Sequence, residues 1–329
     1  MRAQLVVLAC SSLALGACSI LTATDPDDIR VRRADGGIVM GDDGSTCGAE
    51  ICGNRVDDDC DGLIDVGDPD CGPAPGDHCG GGAALSVGVS VVGDTTGLAD
   101  DVRLGCAQGE SGQPDAVYTL RTEGTIDLAV DTFGSSFDTV LGLRRTCDRL
   151  EDEIACSNDA NATGASQIIY RHLGNGDYTV IVDGDRDRGA GAYSLNVHAQ
   201  GSPEQLQCEN AIDVSRGAAV FGRTGGEDRY SGSCGGAGSP EEVFTFTLAE
   251  PSNVVMHTIS SRYDTVLYVR TLACFGEASL EVACNDDAGG MQSSQIELRP
   301  LPPGTYYVFV DGFGGAAGEY LLIVHFEAA

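Results

Sequence analysis

Short runs that alternate apolar and polar residues dominate the chain. Tyr178, Val180 and Val182 alternate with Thr179, Ile181 and Asp183, and Tyr193, Leu195 and Val197 alternate with Ser194, Asn196 and His198. A period of two with one apolar face marks a half-buried β-strand. Gly, Asp, Asn and Ser separate the runs, and no long stretch carries the period of an amphipathic helix. The pattern predicts an all-β chain. A short Gly/Asp-rich loop joins the two runs just named, so they are expected to pair as a hairpin.

The pattern occurs twice, over residues 78–200 and 204–329. Pro114-Asp115-Ala116-Val117-Tyr118 matches Pro240-Glu241-Glu242-Val243-Phe244. Asp138-Thr139-Val140-Leu141 matches Asp264-Thr265-Val266-Leu267, and Ala155-Cys156-Ser157-Asn158-Asp159 matches Ala283-Cys284-Asn285-Asp286-Asp287. Ser166-Gln167-Ile168 matches Ser294-Gln295-Ile296. Gly176-Asp177-Tyr178 through Val182-Asp183-Gly184 matches Gly304-Thr305-Tyr306 through Val310-Asp311-Gly312, and Gly191-Ala192-Tyr193 matches Gly318-Glu319-Tyr320. So much identity at a nearly constant offset is a duplication.

On these motifs both blocks resemble the bacterial pre-peptidase C-terminal domain, which is often appended to secreted proteases. The resemblance covers about three quarters of the chain. It implies two tandem jelly-roll β-sandwiches, an architecture shared by clostridial collagen-binding modules. It also implies a non-catalytic role in substrate binding, secretion or anchoring.

The amino terminus changes the compartment. Met1-Arg2, an apolar run from Leu5 to Leu15 and Leu15-Gly16-Ala17-Cys18 make an export signal. With cysteine after the cleavage position, residues 1–17 resemble a lipoprotein signal, which would leave Cys18 as the lipidated first residue. An ordinary signal peptide cleaved nearby is the alternative. Ser19, where many Gram-negative lipoproteins of the inner membrane carry Asp, favours the outer membrane, periplasmic or cell-surface facing. The apolar run is too short to span a bilayer, which takes about 20 residues. Residues 18–46 read as a tether.

Twelve cysteines lie beyond Cys18, in three sets of four. Export makes them a disulfide framework. Cys47, Cys52, Cys60 and Cys71 lie in an acidic segment, residues 47–72. Cys79, Cys106, Cys147 and Cys156 form a second set, and Cys208, Cys234, Cys274 and Cys284 a third with similar spacing. Four cysteines allow three connectivities. The favoured one is sequential: Cys79–Cys106, Cys147–Cys156, Cys208–Cys234 and Cys274–Cys284. Zinc is the alternative, but the chain has no Cys-x-x-Cys pair.

The acidic segment carries the densest chemistry. Asp57, Asp59, Asp61, Leu63 (through its carbonyl), Asp65 and Asp68 follow the oxygen-ligand order of a calcium loop, with Gly62 at the turn. Asp stands in place of the final bidentate Glu, and cysteines stand in place of flanking helices. The segment resembles an acidic, cysteine-bearing metal-binding motif of secreted bacterial proteins and the type 3 calcium repeats of thrombospondin. Calcium is therefore the expected cofactor, and a stapled acidic linker that binds nothing is the alternative. The net charge of −31 and the absence of lysine make nucleic acid and anionic lipid poor partners. Membrane contact is expected through the lipid alone.

Known catalytic motifs are absent: there is no His-Glu-x-x-His, no Gly-x-Ser-x-Gly and no phosphate loop. Asp138 and Asp264 read as loop-bonding aspartates rather than catalytic acids, and His198 and His325 as exposed residues on the closing strands. Asp286 and Asp287 near Asp311 read as a solvated turn rather than a second calcium site. One contrast between the blocks points to binding. Positions polar in the first block, with Ile181 the exception, become Tyr307, Phe309, Leu321 and Ile323 in the second. If exposed on paired strands, the four would form one apolar patch for a ligand; burial in a core or against the first block is the alternative. The expected protein is a non-catalytic, calcium-binding lipoprotein whose tandem sandwiches bind an extracellular or envelope protein or glycan. A divergent hydrolase or hydrolase accessory protein and a ligand-free spacer are the alternatives.

Overall fold

The computed structural model describes residues 76–328 except 108–112, 159, 161–162, 186–188, 277–278 and 289–291, together with 7–9, 19–21 and 58–59. The chain divides into two compact units, Met1–Cys71 and Gly72–Ala329. In the first, β1 (Val7–Ala9) and β2 (Ser19–Leu21) pair antiparallel, with Leu8 opposite Ile20.

The second unit is all-β. The first repeat contributes β3 (Ala83–Leu85), β4 (Ser90–Asp94), β5 (Ala116–Thr122), β6 (Ile126–Asp131), β7 (Thr139–Arg144), β8 (Glu153–Asn158), β9 (Gln167–Leu173), β10 (Gly176–Gly184) and β11 (Ala192–Gly201). The second contributes β12 (Ile212–Asp213), β13 (Ala218–Arg223), β14 (Glu242–Leu248), β15 (Ser252–His257), β16 (Thr265–Thr271), β17 (Leu280–Asn285), β18 (Gln295–Leu301), β19 (Gly304–Gly312) and β20 (Glu319–Ala328). Each repeat is a sandwich. One sheet runs β3-β5-β10-β7-β8 in the first repeat and β12-β14-β19-β16-β17 in the second. The facing sheets, β9-β6-β11-β4 and β18-β15-β20-β13, fuse into one eight-stranded sheet because β13 pairs with β9.

The expected hairpin does not form. β10 lies between β5 and β7, whereas β11 lies between β6 and β4 in the opposite sheet. The same correction applies to β19 and β20. Alternation fixes which side chains face inward but not which strand lies alongside. Tyr178, Val180 and Val182 therefore meet Tyr193, Leu195 and Val197 across a common core. The hydroxyls of Tyr118 and Tyr193 close this core at 2.7 Å. β4 makes room for the ring: a Cβ on Gly93 would stand 2.3 Å from Tyr193, and one on Gly222 of β13 would stand 2.3 Å from Tyr320.

The cysteines pair one-to-three and two-to-four within each set: Cys79–Cys147, Cys106–Cys156, Cys208–Cys274 and Cys234–Cys284. This corrects the sequential pairing. The reason is a second, small core on the outer face of each five-stranded sheet. In the first repeat the segment before β5 carries Val102 and Leu104 onto Val117, Val140 and Ile181, with the four cysteines around them. Each bridge ties a chain crossing that face to the β7–β8 region beneath it. The β7–β8 turn is already held by its own ladder.

How the two sandwiches join follows from one pairing. Within each repeat, three antiparallel steps separate the edge strands, so β18 runs opposite to β13, while β13 runs parallel to β9. The second repeat is thus turned over about an axis lying in the sheet, across its strands. The two five-stranded sheets consequently cover opposite faces of the shared sheet. The packing agrees: Ile169, on the outward side of the first repeat, enters the core of the second, where Ala129 also packs, and Phe221 packs against the core of the first.

A buried ion cluster locks the seam. Arg171 of β9 and Glu242 of β14 are both fully buried and paired. Arg171 Nε also reaches Asp127 at 3.4 Å, and its Nη2 donates to the Pro203 carbonyl at 3.0 Å. The Tyr320 hydroxyl donates to the other oxygen of Glu242 at 2.5 Å. Asp127 accepts from the His172 amide and the Ser202 hydroxyl. The cluster thus draws on both repeats and the linker between them.

Candidate functional site

The predicted patch of Tyr307, Phe309, Leu321 and Ile323 does not exist as one surface, because β19 and β20 belong to different sheets. Its halves lead to two different places.

Tyr307 and Phe309 lie on the outer face of the second five-stranded sheet. Phe309 is fully buried there, stacked on Tyr268 at 4.5 Å with an interplanar angle of 7°. Tyr230 stands edge-on to Phe309 at 5.7 Å and meets Phe275 at 5.8 Å. The result is a continuous aromatic ladder, Tyr268–Phe309–Tyr230–Phe275, that rises from the core to solvent, where Phe275 is 58% exposed. Arg270 lies 5.2 Å from the Tyr268 ring centroid and 5.0 Å from that of Phe309. Its guanidinium is fixed by the carbonyls of Ser231 and Cys274. Tyr307, half-buried, is opposite Arg270 in the β16–β19 register.

The disulfides hold this surface in place. Phe275 follows Cys274, which is bridged to Cys208, and Tyr230 lies four positions before Cys234, which is bridged to Cys284. Leu272 and Leu280 at the same end of the strands are 78% and 54% exposed. Leu272 also has a φ of 70°, a left-handed backbone that a branched apolar residue adopts at a cost. The first repeat has nothing comparable: Ile181 and Thr179 replace Phe309 and Tyr307, and Asp148 follows Cys147. There Arg144 pairs with Glu153 at 3.2 Å instead of stacking on rings. Tyr230 and Phe275 lie in loops without periodicity, so patterning could not find them.

Leu321 instead lines a cavity of about 620 Å³ at the seam, with the stacked pair Tyr170 and Phe221 and the charged Arg223, Arg262 and Glu319. Arg262 and Glu319 pair with each other at 3.0 Å. Ile323, half-buried, lies opposite Ala219 and His257 on that side of the sheet.

Cys18, Cys47, Cys52, Cys60, Cys71, Asp57, Asp61, Leu63, Asp65 and Asp68 lie outside the described residues, and Asp59 is half-buried in a bend. Among the described residues, no three His, Cys, Asp or Glu side chains converge as metal ligands, the group of Asp286, Asp287 and Asp311 included. His198 is exposed, and His325 is partly buried 3.8 Å from Glu327. The Asp138 and Asp264 carbonyls accept amides of the next loop, from Asp185 and Phe313.

Buried carboxyls recur at equivalent places in both repeats. Asp115 accepts the amides of Asp101 and Val102 through one oxygen, both at 2.7 Å, and its other oxygen has no partner among the described residues. Burial pushes its carboxyl up to about 7. Asp183, in the neighbouring strand, is pushed up to about 8 by burial and by the charge of Asp115. Asp311 is likewise pushed up to about 8 by burial, with Glu241 adding to it. In the unfolded chain these acids ionise near 4. Their contribution to stability is therefore fully present below pH 4 and is lost as pH rises through 7 to 8. One pH unit of displacement corresponds to about 1.4 kcal/mol, and the paired acids titrate together. From pH 5 upward the expected loss is about 1.4 kcal/mol per pH unit for each carboxyl that stays protonated only in the folded state, and it levels off above pH 8. Melting curves of the Asp183→Asn, Asp311→Asn variant should show a shallower decline, the remainder coming from Asp115 and Glu241. A variant as pH-sensitive as the parent would show that these carboxyls ionise freely in the folded protein.

No family model matches the chain, and no curated protein matches it. Among solved structures, the chain is similar to the pre-peptidase C-terminal domain of collagenase from Bacillus anthracis, at 16% identity over 38% of this chain and 99% of that one, with a TM-score of 0.26. It is also similar to a Paenibacillus xanthan lyase at 10% identity over 66% of this chain, with a TM-score of 0.20, and spans 23% of the lyase. The class, a tandem all-β sandwich with four disulfides in its described part, is defined by the strand order itself.

Proposed function

We propose that this chain is a non-catalytic binding protein of the bacterial envelope, which presents the aromatic surface of its second sandwich to an extracellular or envelope polymer, polypeptide or glycan. The observation that carries this reading is the Tyr268–Phe309–Tyr230–Phe275 ladder with Arg270 against it, held by two disulfides and absent from the first repeat. Exposed, preorganised aromatic side chains give large contact area at little entropic cost. A lipid on Cys18 would tether the chain to the outer membrane. Calcium on Asp57, Asp59, Asp61, Leu63, Asp65 and Asp68 would stiffen the neck between membrane and sandwiches. Both are supported by the residue pattern alone.

The test is capture of the full chain on envelope and matrix polymer fractions, with and without calcium. Phe275→Ser is expected to weaken capture about tenfold or more, as for a central aromatic anchor, with an unchanged melting temperature because Phe275 is exposed. Phe309→Ser, by contrast, removes a core residue and should cost about 3–5 kcal/mol of stability. Undiminished capture by the Phe275→Ser variant would dismiss the aromatic surface as the binding site.

A further inference from the structure

The seam between the sandwiches is heterologous: the β4-type edge of the second repeat meets the β9-type edge of the first. Among the described residues, the two complementary halves of this contact take no further strand at the ends. They are β4, at one margin of the eight-stranded sheet, and β18, at the other. The same operation would place β18 of one molecule alongside β4 of the next and extend the sheet without limit.

The residues at the two joints differ in a consistent direction. At the seam, Ile168, Ile169 and Tyr170 are opposite Ala219, Val220 and Phe221. Ile169 is buried in the neighbouring core, and Tyr170 stacks on Phe221. The equivalents on β18 are Ile296, Glu297 and Leu298, and those on β4 are Ser90, Val91 and Val92. Glu297 would therefore have to enter a core where Ile169 sits at the seam. It is solvated and paired with Arg299 at 3.4 Å, both side chains about half exposed. Dehydrating that pair costs several kcal/mol. Arg299 is the equivalent of Arg171, but Glu242, which Arg171 meets at the seam, has Ala116 as its counterpart. Pro300 stands at the position of His172, and proline on an edge strand discourages the addition of a further strand.

We propose that the seam is a propagating joint with one blocked end. β4 keeps the receptor geometry, β18 is the blocked counterpart of β9, and the partner excluded by that block is a second copy of this chain. Head-to-tail addition of a second copy at β18 is blocked because Glu297 stands where Ile169 enters the neighbouring core at the seam, and Pro300 blunts the same edge.

The experiment is sedimentation of the full chain over a wide concentration range. The parent protein is expected to remain monomeric. The Glu297→Ile, Pro300→His variant is expected to associate head to tail, with at least a tenfold lower dissociation constant than the parent. Adding Val92→Lys on β4 should abolish that association. Should the double variant fold poorly, Glu297→Ile alone serves, since position 297 is exposed. A folded variant that stays monomeric overturns the proposal, as does association that Val92→Lys leaves intact or a parent protein that polymerises through β4.

Discussion

Arg171→Ala is expected to destabilise the second unit by about 3–5 kcal/mol, the usual cost of removing one partner from a buried pair. The side chains of Arg171 and Glu242 are both fully buried, so the lost cation leaves Glu242 without its counter-charge in a dry site, and Asp127 loses a partner as well. The Tyr320 hydroxyl still donates to Glu242, which limits the damage. Denaturant unfolding should show more than a shifted midpoint. The cluster draws on β9, β14, β20 and the linker, so its loss weakens the coupling between sandwiches, and a single transition should broaden or split in two. Arg171→Met with Glu242→Leu should recover much of the stability, because apolar replacements of similar volume often equal a buried ion pair. A loss below about 1 kcal/mol in the single variant would mean that the seam is held by its apolar contacts alone.

Removing Cys106–Cys156 is expected to cost about 4 kcal/mol by the loop-entropy account for a bridge that spans 50 residues. Cys234–Cys284, with the same separation, should behave alike. These bridges close the small outer cores, where they add covalent ties to the hydrogen bonds that hold the segments before β5 and β14 on the sheet. The paired serine variants should therefore lose those segments first, seen as early proteolysis before β5 or β14. In the second repeat, loss of Cys208–Cys274 should also release the loop bearing Phe275 and reduce polymer capture. Non-reducing peptide maps provide the direct check: Cys79 should be recovered with Cys147 and Cys106 with Cys156. Recovery of Cys79 with Cys106 would restore the sequential pairing and undo this account of the outer cores.

The outer cores show why the disulfide set was legible while its pairing was not. Spacing brought Cys147 and Cys156 close along the chain, which favoured a local clip. The structure pairs them instead with partners from the segments crossing above, because those segments bring apolar residues to be covered. The binding face was half legible for a similar reason. The substitution of Tyr307 and Phe309 for polar or smaller residues marked the second repeat as different. It did not show that Phe309 is internal, nor that Tyr230 and Phe275, two loop residues, complete the ladder above it.

The sequence by itself determined the all-β class, the duplication, and the inward side of most strands, because each follows from local alternation and from identity between the repeats. Only the tertiary structure decided which strands lie side by side, how the cysteines pair, and that the two sandwiches share a sheet turned face over face. These depend on contacts between residues far apart in the chain. Arg171 illustrates the limit. Along the chain it is one arginine in an alternating strand, with Arg299 as its equivalent. It becomes the lock of the seam only because Glu242, 71 positions away, is carried to it by a different sheet.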